Sequence, residues 1–286
     1  VRTEPRVSVV IATRDRRESL LRTLAQLAGG PPVLVVDNGS HDGTPDAARA
    51  AGVRVVELGH NAGAVARNVG VQSVRSPYVA FADDDSWWAP GALARAADLL
   101  DAHPRVAVLA GQVRLAADGS VDHVSRKHAA AVLGTSPGGP GPDVLSWPAC
   151  GVVVRRSAFR AVGGFDPLLF FGGEEHLLAL DLASAGWHQV YLEDVVAWHD
   201  PAGPADPTPT RWVLQTRNDL LVDWLRRPLP VALTGTAGLA RRALTDPLAR
   251  RALAGLLRRL PAALRRRRPV PAELEARFRR AQQPVD

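Results

Sequence analysis

The chain of 286 residues has one cysteine, Cys150, and no methionine. A lone cysteine excludes an intramolecular disulfide and a thiolate zinc cluster, and it fits a reducing compartment. The missing methionine, even at position 1, suggests that Val1 is a GTG start written literally or a trimmed end. The Ala, Arg and Val bias points to a GC-rich bacterial genome. No stretch reaches the roughly 18 to 20 uninterrupted apolar residues of a membrane span, and VRTEPRVSVV lacks the layout of a signal peptide. The expectation is a cytoplasmic body. There is no internal repeat. No G-x-G-x-x-G follows the first apolar run, which argues against a Rossmann-type dehydrogenase or methyltransferase that would use Asp37 on a ribose.

A hydrophobic fraction of 46% and a charged fraction of 22% are ordinary for a globular chain long enough to form one large domain with an appendage. The net charge of +6 is unevenly placed. Residues 241–286 hold 13 of the 35 basic and 4 of the 29 acidic side chains, which leaves 22 basic and 25 acidic ahead of them. The body is slightly acidic, and the basic character belongs to the tail.

VSVVIA (7–12), VLVVD (33–37), VRVVEL (53–58) and YVAFA (78–82) read as buried strands, separated by segments of helical spacing. That alternation predicts a parallel sheet with helices on both faces, and ligands then bind at the carboxyl ends of the strands. Thr13, Arg14 and Asp15 end the first strand, Asp37 the second, and Asp83, Asp84 and Asp85 the fourth. Beyond residue 105 the pattern loosens. VAVLAG and QVRLAADGSVDHV suggest strands joined by an Asp-Gly turn, LGTSPGGPGPD a mobile loop, and VLSWPACGVVVRRSAF a strand entering a helix capped by Ser157. A helix opens at Glu174 and closes at Gly186, and VYLEDVVAWHD is strand-like.

Three adjacent carboxylates need something to offset a repulsion of roughly 4 kcal/mol per close pair near a protein surface. A helix N-terminus after Pro90 is one solution, and a divalent cation is another. For Asp37, accepting a pyrimidine ring N–H stands beside the plainer role of closing an Asx-turn in DNGS. For Trp87 and Trp88, stacking on sugar stands beside core packing. For Glu174 and Glu175, general-base chemistry stands beside stabilisation of a helix start.

VSVVIATRDR, VVDNGSHDGT, NAGAVARNVG, FADDDS, GGFD with GGEEHLLALDLASAGW, and AWHD, in that order, resemble the family 2 glycosyltransferases with the GT-A fold over roughly residues 6–226. The resemblance implies an inverting transfer of sugar from a nucleotide-diphospho-sugar, UDP- or dTDP-linked by preference, to a hydroxyl of a glycan, lipid-linked or small-molecule acceptor. It implies an α/β domain over 1–230, with about 1–105 binding the nucleotide sugar and about 106–205 the acceptor. It places Thr13, Asp15, Asp37, Arg67 and Asp83 on the nucleotide, and Asp83, Asp85 and His199 on Mg²⁺ or Mn²⁺ in a D-x-D pattern, with Asp84 turned away if the backbone there is extended. Glu175 matches the family's base and Glu174 stands in reserve. The family commonly has Glu-Asp where this chain has Glu-Glu, and Leu177 replaces a frequent second Asp. These departures keep a non-catalytic sugar-nucleotide-binding protein in view.

The remaining segment, 231–286, reads as a basic amphipathic helical tail, with Leu253, Leu256, Leu257, Leu260 and Leu264 on one face and RRRR at 265–268. An anionic membrane surface at the inner face of the plasma membrane and packing on the body both fit it. The aromatic interleaving of a single-strand nucleic-acid binder is absent, so no nucleic-acid partner is expected. Pro261 is expected to divide the segment into two short helices.

Overall fold

A computed structural model describes residues 4–201 and 208–283. Val1 and most of the proline-rich segment after His199 lie outside the described residues. The four expected strands form β1 (Val7–Thr13), β2 (Val33–Asp37), β3 (Arg54–Glu57) and β4 (Tyr78–Ala82), with α1 (Arg17–Gln26), α2 (Thr44–Ala50) and α3 (Val65–Ser73) between them. Then come β5 (Ser86–Trp88), α4 (Ala92–Ala102), β6 (Val106–Leu115), α5 (His123–Ala129), β7 (Val152–Arg155), α6 (Arg156–Ala161), α7 (Glu174–Ser184) and β8 (His188–His199). One eight-stranded sheet of order β3-β2-β1-β4-β7-β6-β8-β5 spans both halves of the domain. The β1–β2, β1–β4, β2–β3 and β6–β8 pairings are parallel, and the other three are antiparallel.

Strand alternation divides the core. Val7, Val9 and Ile11 of β1 face α1, α2 and α4 through Leu20, Leu24, Ala48, Leu93 and Leu100. Val10 of β1, with Leu34 and Val36 of β2, faces α3, α6 and α7 through Ala66, Val71, Phe159 and Leu178. This is the mixed α/β GT-A architecture expected from the sequence.

Several local expectations fail for identifiable reasons. The hairpin after VAVLAG shrinks to one bridge between Arg114 and Val121, because Asp122 accepts from the Ser125 amide and starts α5. Ser157 does not cap α6; Arg155 occupies that position, and no side chain bonds the helix end. The triple aspartate is not a helix cap either, since β5 intervenes before α4. Trp88 is buried and donates its ring N–H to the Phe81 carbonyl (3.2 Å), and Trp87 packs against the same core, so packing accounts for both.

The tail is a second layer built on the body. Helix α8 (Pro209–Arg226) is followed by α9 (Leu229–Arg242), α10 (Pro247–Arg265) and α11 (Ala272–Gln282). They enclose an apolar cluster that includes Leu145, Leu169, Leu177 and Leu180 of the body with Leu221, Leu225, Leu256 and Phe278. Gly255 lets α10 approach α8, because a Cβ there would lie 2.9 Å from the Arg217 Cδ. The bidentate pair of Arg227 with Glu275 and the Arg277–Asp143 bridge (2.7 Å) tie α11 down. Pro261 does not break α10, which is clamped on both sides of it by buried Leu256 and Ala263. The predicted leucine face is therefore split. Leu256 is fully buried, whereas Leu257 is 52% exposed. No helix among the described residues is long and apolar enough to cross a membrane.

If the tail docks as described, Leu256→Ala lowers stability by about 2–5 kcal/mol, whereas Leu257→Ala changes it by about 0.5 kcal/mol or less. Urea unfolding of the two variants checks this. Equal effects would mean that α10 is not seated on α8.

Candidate active site

Register sets the rim. Thr13 pairs with Asp37 across β1–β2, and Ile11 pairs with Ala82 across β1–β4, so the carboxyl ends of three strands stop at one level. The backbone turns at Asp84 and Asp85 instead of running extended. Asp84 is therefore not turned away. It accepts from the Thr13 hydroxyl (2.8 Å) and pairs with Arg16 (3.2 Å), and burial raises its pKa above the ordinary carboxylate value. A cavity of about 260 Å³ opens beside it, lined among others by Thr13, Asn38, Arg67, Asp84, Phe170 and Leu214.

Asp37 closes the Asx-turn weighed for it and still leaves one oxygen unused. One carboxylate oxygen accepts from the Gly39 and Ser40 amides (3.1 and 3.0 Å), which is the Asx-turn. The other is buried with no partner among the described residues, a free acceptor at a strand end. Asp15 is placed differently from Thr13. It has a positive φ of 51°, and its carboxylate accepts from the His41 amide (2.7 Å), so it braces the loop after β1 against the loop after β2 and does not line the cavity.

Arg67 lies at the centre. It is 6% exposed and donates to Asp83 (2.5 Å), while its Nε–H has no partner. Burial opposes its charge, but Asp83, Glu174 and Glu175 outweigh that and hold its pKa above the ordinary value. The same cation faces both halves of the sheet. Glu174 is 2% exposed with one carboxylate oxygen unpartnered; burial, and then the neighbouring Glu175, push its pKa up to about 8. Burial also raises the pKa of Glu175, against the opposing pull of Arg67. Leu177, the departure from the family pattern, is buried in the cluster under the C-terminal helices, which gives that position a packing role.

Asp85 meets His199 through sheet pairing, not chain proximity. Ser86 of β5 is opposite His199 of β8, and the imidazole Nε2 lies 3.4 Å from Asp85. The hydrogen bond to Asp85 raises the histidine pKa. Asp83 is engaged by Arg67, and Arg16 lies 3.3 Å from Asp85, so among the described residues no three His, Cys, Asp or Glu side chains form a ready metal cluster. Asp85 with His199 is still a carboxylate–imidazole pair that would hold a divalent cation such as Mn²⁺ or Mg²⁺.

Four features escaped the sequence reading. Asn38 accepts from the Ala62 amide (2.7 Å) and donates to the Gly63 carbonyl (3.1 Å), fixing the turn before α3. Gly63 has φ +62°, and a Cβ there would lie 2.1 Å from the Phe170 carbonyl oxygen, so only glycine fits. Arg16 is the cation beside Asp84 and Asp85. Asn218 of α8 donates to the Leu169 and Phe171 carbonyls (2.8 and 2.9 Å), and its neighbour Arg217 also donates to Leu169, so the loop before Glu174 hangs from the C-terminal bundle. Asn38 and Gly63 lie inside the motifs already quoted; Asn218 carried no signal.

The raised pKa of Glu174 has a sign that can be measured. The folded protein holds this proton above the pH at which the unfolded chain releases it, so stability falls as pH rises from the ordinary Glu range towards about 8. Glu174→Gln removes that dependence. Its gain over wild type in urea unfolding should be larger at pH 8.5 than at pH 5; a pH-independent difference would place the proton elsewhere.

Comparison with known proteins agrees with this geometry. The model of Glycosyl transferase family 2 matches residues 8–159. The N-acetylglucosaminyl-diphospho-decaprenol L-rhamnosyltransferase of Mycobacterium tuberculosis is 28% identical over 82% of this chain and 90% of its own length. The pre-mycofactocin glycosyltransferase of the same organism is 31% identical over 68% of this chain and 42% of its own length. Among solved structures, the mannosyltransferase PcManGT from Pyrobaculum calidifontis, in complex with GDP-Man and Mn²⁺, has a TM-score of 0.61 at 22% identity, covering 97% of this chain and 86% of its own. S. aureus TarS 1–349 in complex with UDP-GlcNAc has a TM-score of 0.56 at 18% identity, covering 88% and 72%. With the match spanning the strand-end rim and the triple aspartate, the chain belongs to glycosyltransferase family 2 and is a glycosyltransferase.

Proposed function

We propose that this enzyme transfers a sugar, with inversion, from a UDP- or dTDP-sugar to a hydroxyl of a lipid-linked glycan in cell-envelope synthesis. The observation that carries the reading is the gathering of Asp83 and the Glu174–Glu175 pair around buried Arg67, next to Asp84 and Asp85 held by Arg16, at one end of the sheet. The free oxygen of Asp37 supports a pyrimidine, since that base presents a ring N–H. The rhamnosyltransferase relative, named for a diphospho-decaprenol acceptor, supports the lipid-linked class and a place at the inner face of the plasma membrane. Glycans without lipid, and small molecules, are the other acceptor classes that the family resemblance allows.

Asp85 and His199, with Asp83 beside them, would hold Mg²⁺ or Mn²⁺, which supplies neutralisation of the leaving diphosphate. Thr13 and Asp37 bind the nucleoside, with Asp15 bracing the loop between them. Arg67 keeps Asp83 and the two glutamates ordered near one centre. Glu175, only half-buried and under the field of both Arg67 and Asp83, takes the proton of the acceptor hydroxyl. As that oxygen bonds to the anomeric carbon, the carbon–diphosphate bond breaks and the nucleotide leaves with its electrons. A single displacement inverts the configuration. Glu174, nearly sealed from solvent, is less able to meet a hydroxyl and keeps its place in the Arg67 cluster.

Two experiments test this. Asp85→Asn should abolish Mn²⁺-dependent UDP or dTDP binding, measured by calorimetry, with an unchanged melting profile; undiminished metal-dependent binding would remove Asp85 from the metal site. Glu175→Gln should bind donor nearly normally yet lose transfer by about 10² to 10⁴, with Glu174→Gln losing less. A dead Glu174→Gln beside an active Glu175→Gln would move the base by one residue. Retention of full transfer by both would move it elsewhere in the site, and no turnover of any donor by the wild type would favour a binding protein.

A further inference from the structure

Docking of the C-terminal helices leaves five leucines uncovered: Leu229 at 47%, Leu233 at 51%, Leu244 at 79%, Leu257 at 52% and Leu264 at 48% exposure. Single exposed leucines are unremarked in soluble proteins, but four on two successive helices and one in the turn between them are not scattered. Leu229 and Leu233 are one turn apart on α9, and Leu244 follows that helix. On α10, Leu257 and Leu264 are seven residues apart and so share a stripe, with Arg250 on its extension. Exposed Arg251, Arg258 and Arg265 form a neighbouring stripe at the same spacing, away from buried Ala252, Leu256 and Ala263.

From 229 to 265 there are seven arginines and one acidic residue, Asp246, whose carboxylate is taken by the first amides of α10 and by Arg242. The surface is thus apolar and cationic with no free anion. We propose that α9 and α10 dock this chain on an anionic lipid bilayer, with the leucines entering the headgroup boundary and the arginines on acidic headgroups. A second copy is a poorer occupant, because a two-fold contact would set arginine stripes against each other. Nucleic acid would leave the leucines in water, and the segment 229–265 has no aromatic side chain to stack on bases. The proposal deepens the lipid-linked reading, but its test needs neither donor nor acceptor, so either can fail without the other.

The full chain is floated with phosphatidylcholine vesicles, with and without phosphatidylglycerol. Binding should be about tenfold or more stronger with phosphatidylglycerol and should weaken with salt, as each arginine near such a surface contributes about fivefold. The triple variant Leu233→Ser, Leu257→Ser, Leu264→Ser and the triple variant Arg251→Gln, Arg258→Gln, Arg265→Gln should each lose about tenfold or more. Thermal unfolding and Mn²⁺-dependent nucleotide binding should both stay as in wild type. Leu256→Ala, which loosens the bundle beneath an intact surface, serves as the control for lost stability. Absent binding to phosphatidylglycerol vesicles, equal binding to phosphatidylcholine alone, or wild-type binding by both triple variants would overturn the proposal. So would a dimer in sedimentation velocity that the leucine variant dissolves.

Discussion

The buried guanidinium of Arg67 is the constraint on which the site depends. One cation faces Asp83 directly and Glu174 and Glu175 through space, so carboxyl groups from the ends of β4 and the start of α7 are drawn to a single centre. Such a cluster is costly to bury, since each desolvated charge loses hydration that one ion pair does not fully return. The unpartnered Arg67 Nε and the free oxygens of Asp37 and Glu174 show that the pairing is incomplete among the described residues. Incomplete pairing makes sense where a ligand completes it. On the proposed function, a nucleotide with a divalent cation would bring both signs of charge and a ring N–H to such atoms.

Holding those charges in place requires backbone that cannot relax. The turn into α3, which carries Arg67, passes so close to Phe170 that position 63 has no room for a Cβ, and the Ala64 amide donates to the Phe170 carbonyl (2.7 Å). Phe170 itself has φ of +68°, a conformation that bulky residues adopt only when held. The hold comes from α8, where Asn218 and Arg217 take the neighbouring carbonyls. Burial, and then the neighbouring charge of Arg259, lower the pKa of Arg217 to about 10, so α8 carries part of the cost of fixing the loop.

The strands, the helices between them and the rim of aspartates were legible in the sequence because they rest on local periodicity and on the rule that open α/β sheets bind ligands at strand ends. Thr13, Asp37 and Asp83 follow from that rule directly. His199 lies far along the chain, and only the order of the motifs suggested it; what brings it to Asp85 is the antiparallel register of β5 with β8, a tertiary fact. For Asp84 the sequence leaves the backbone open: an extended run would turn its side chain away, whereas the chain turns there and Asp84 reaches Thr13. Pro261 was misjudged because a helix-breaking residue was weighed without the packing on both sides of it.

The tail shows why amphipathicity alone does not name a partner. A leucine stripe beside an arginine stripe is the same pattern whether the stripe faces a protein or a lipid surface. Here the stripe is wide enough to leave an edge outside the bundle. Leu256, with the small residues Ala252 and Ala263, seats α10 on α8, and Leu257 and Leu264 lie at its edge and stay outside. The arginine run divides in the same way. Arg267 donates to the Arg227 carbonyl (2.6 Å) and Arg266 pairs with Asp166 (2.9 Å), so part of RRRR closes the bundle against the body. The arginines available to an outside partner include Arg265 and those farther up α10. Because α8 also suspends the loop ahead of Glu174, the helical layer that carries the exposed leucines is the one that fixes the approach to the two glutamates.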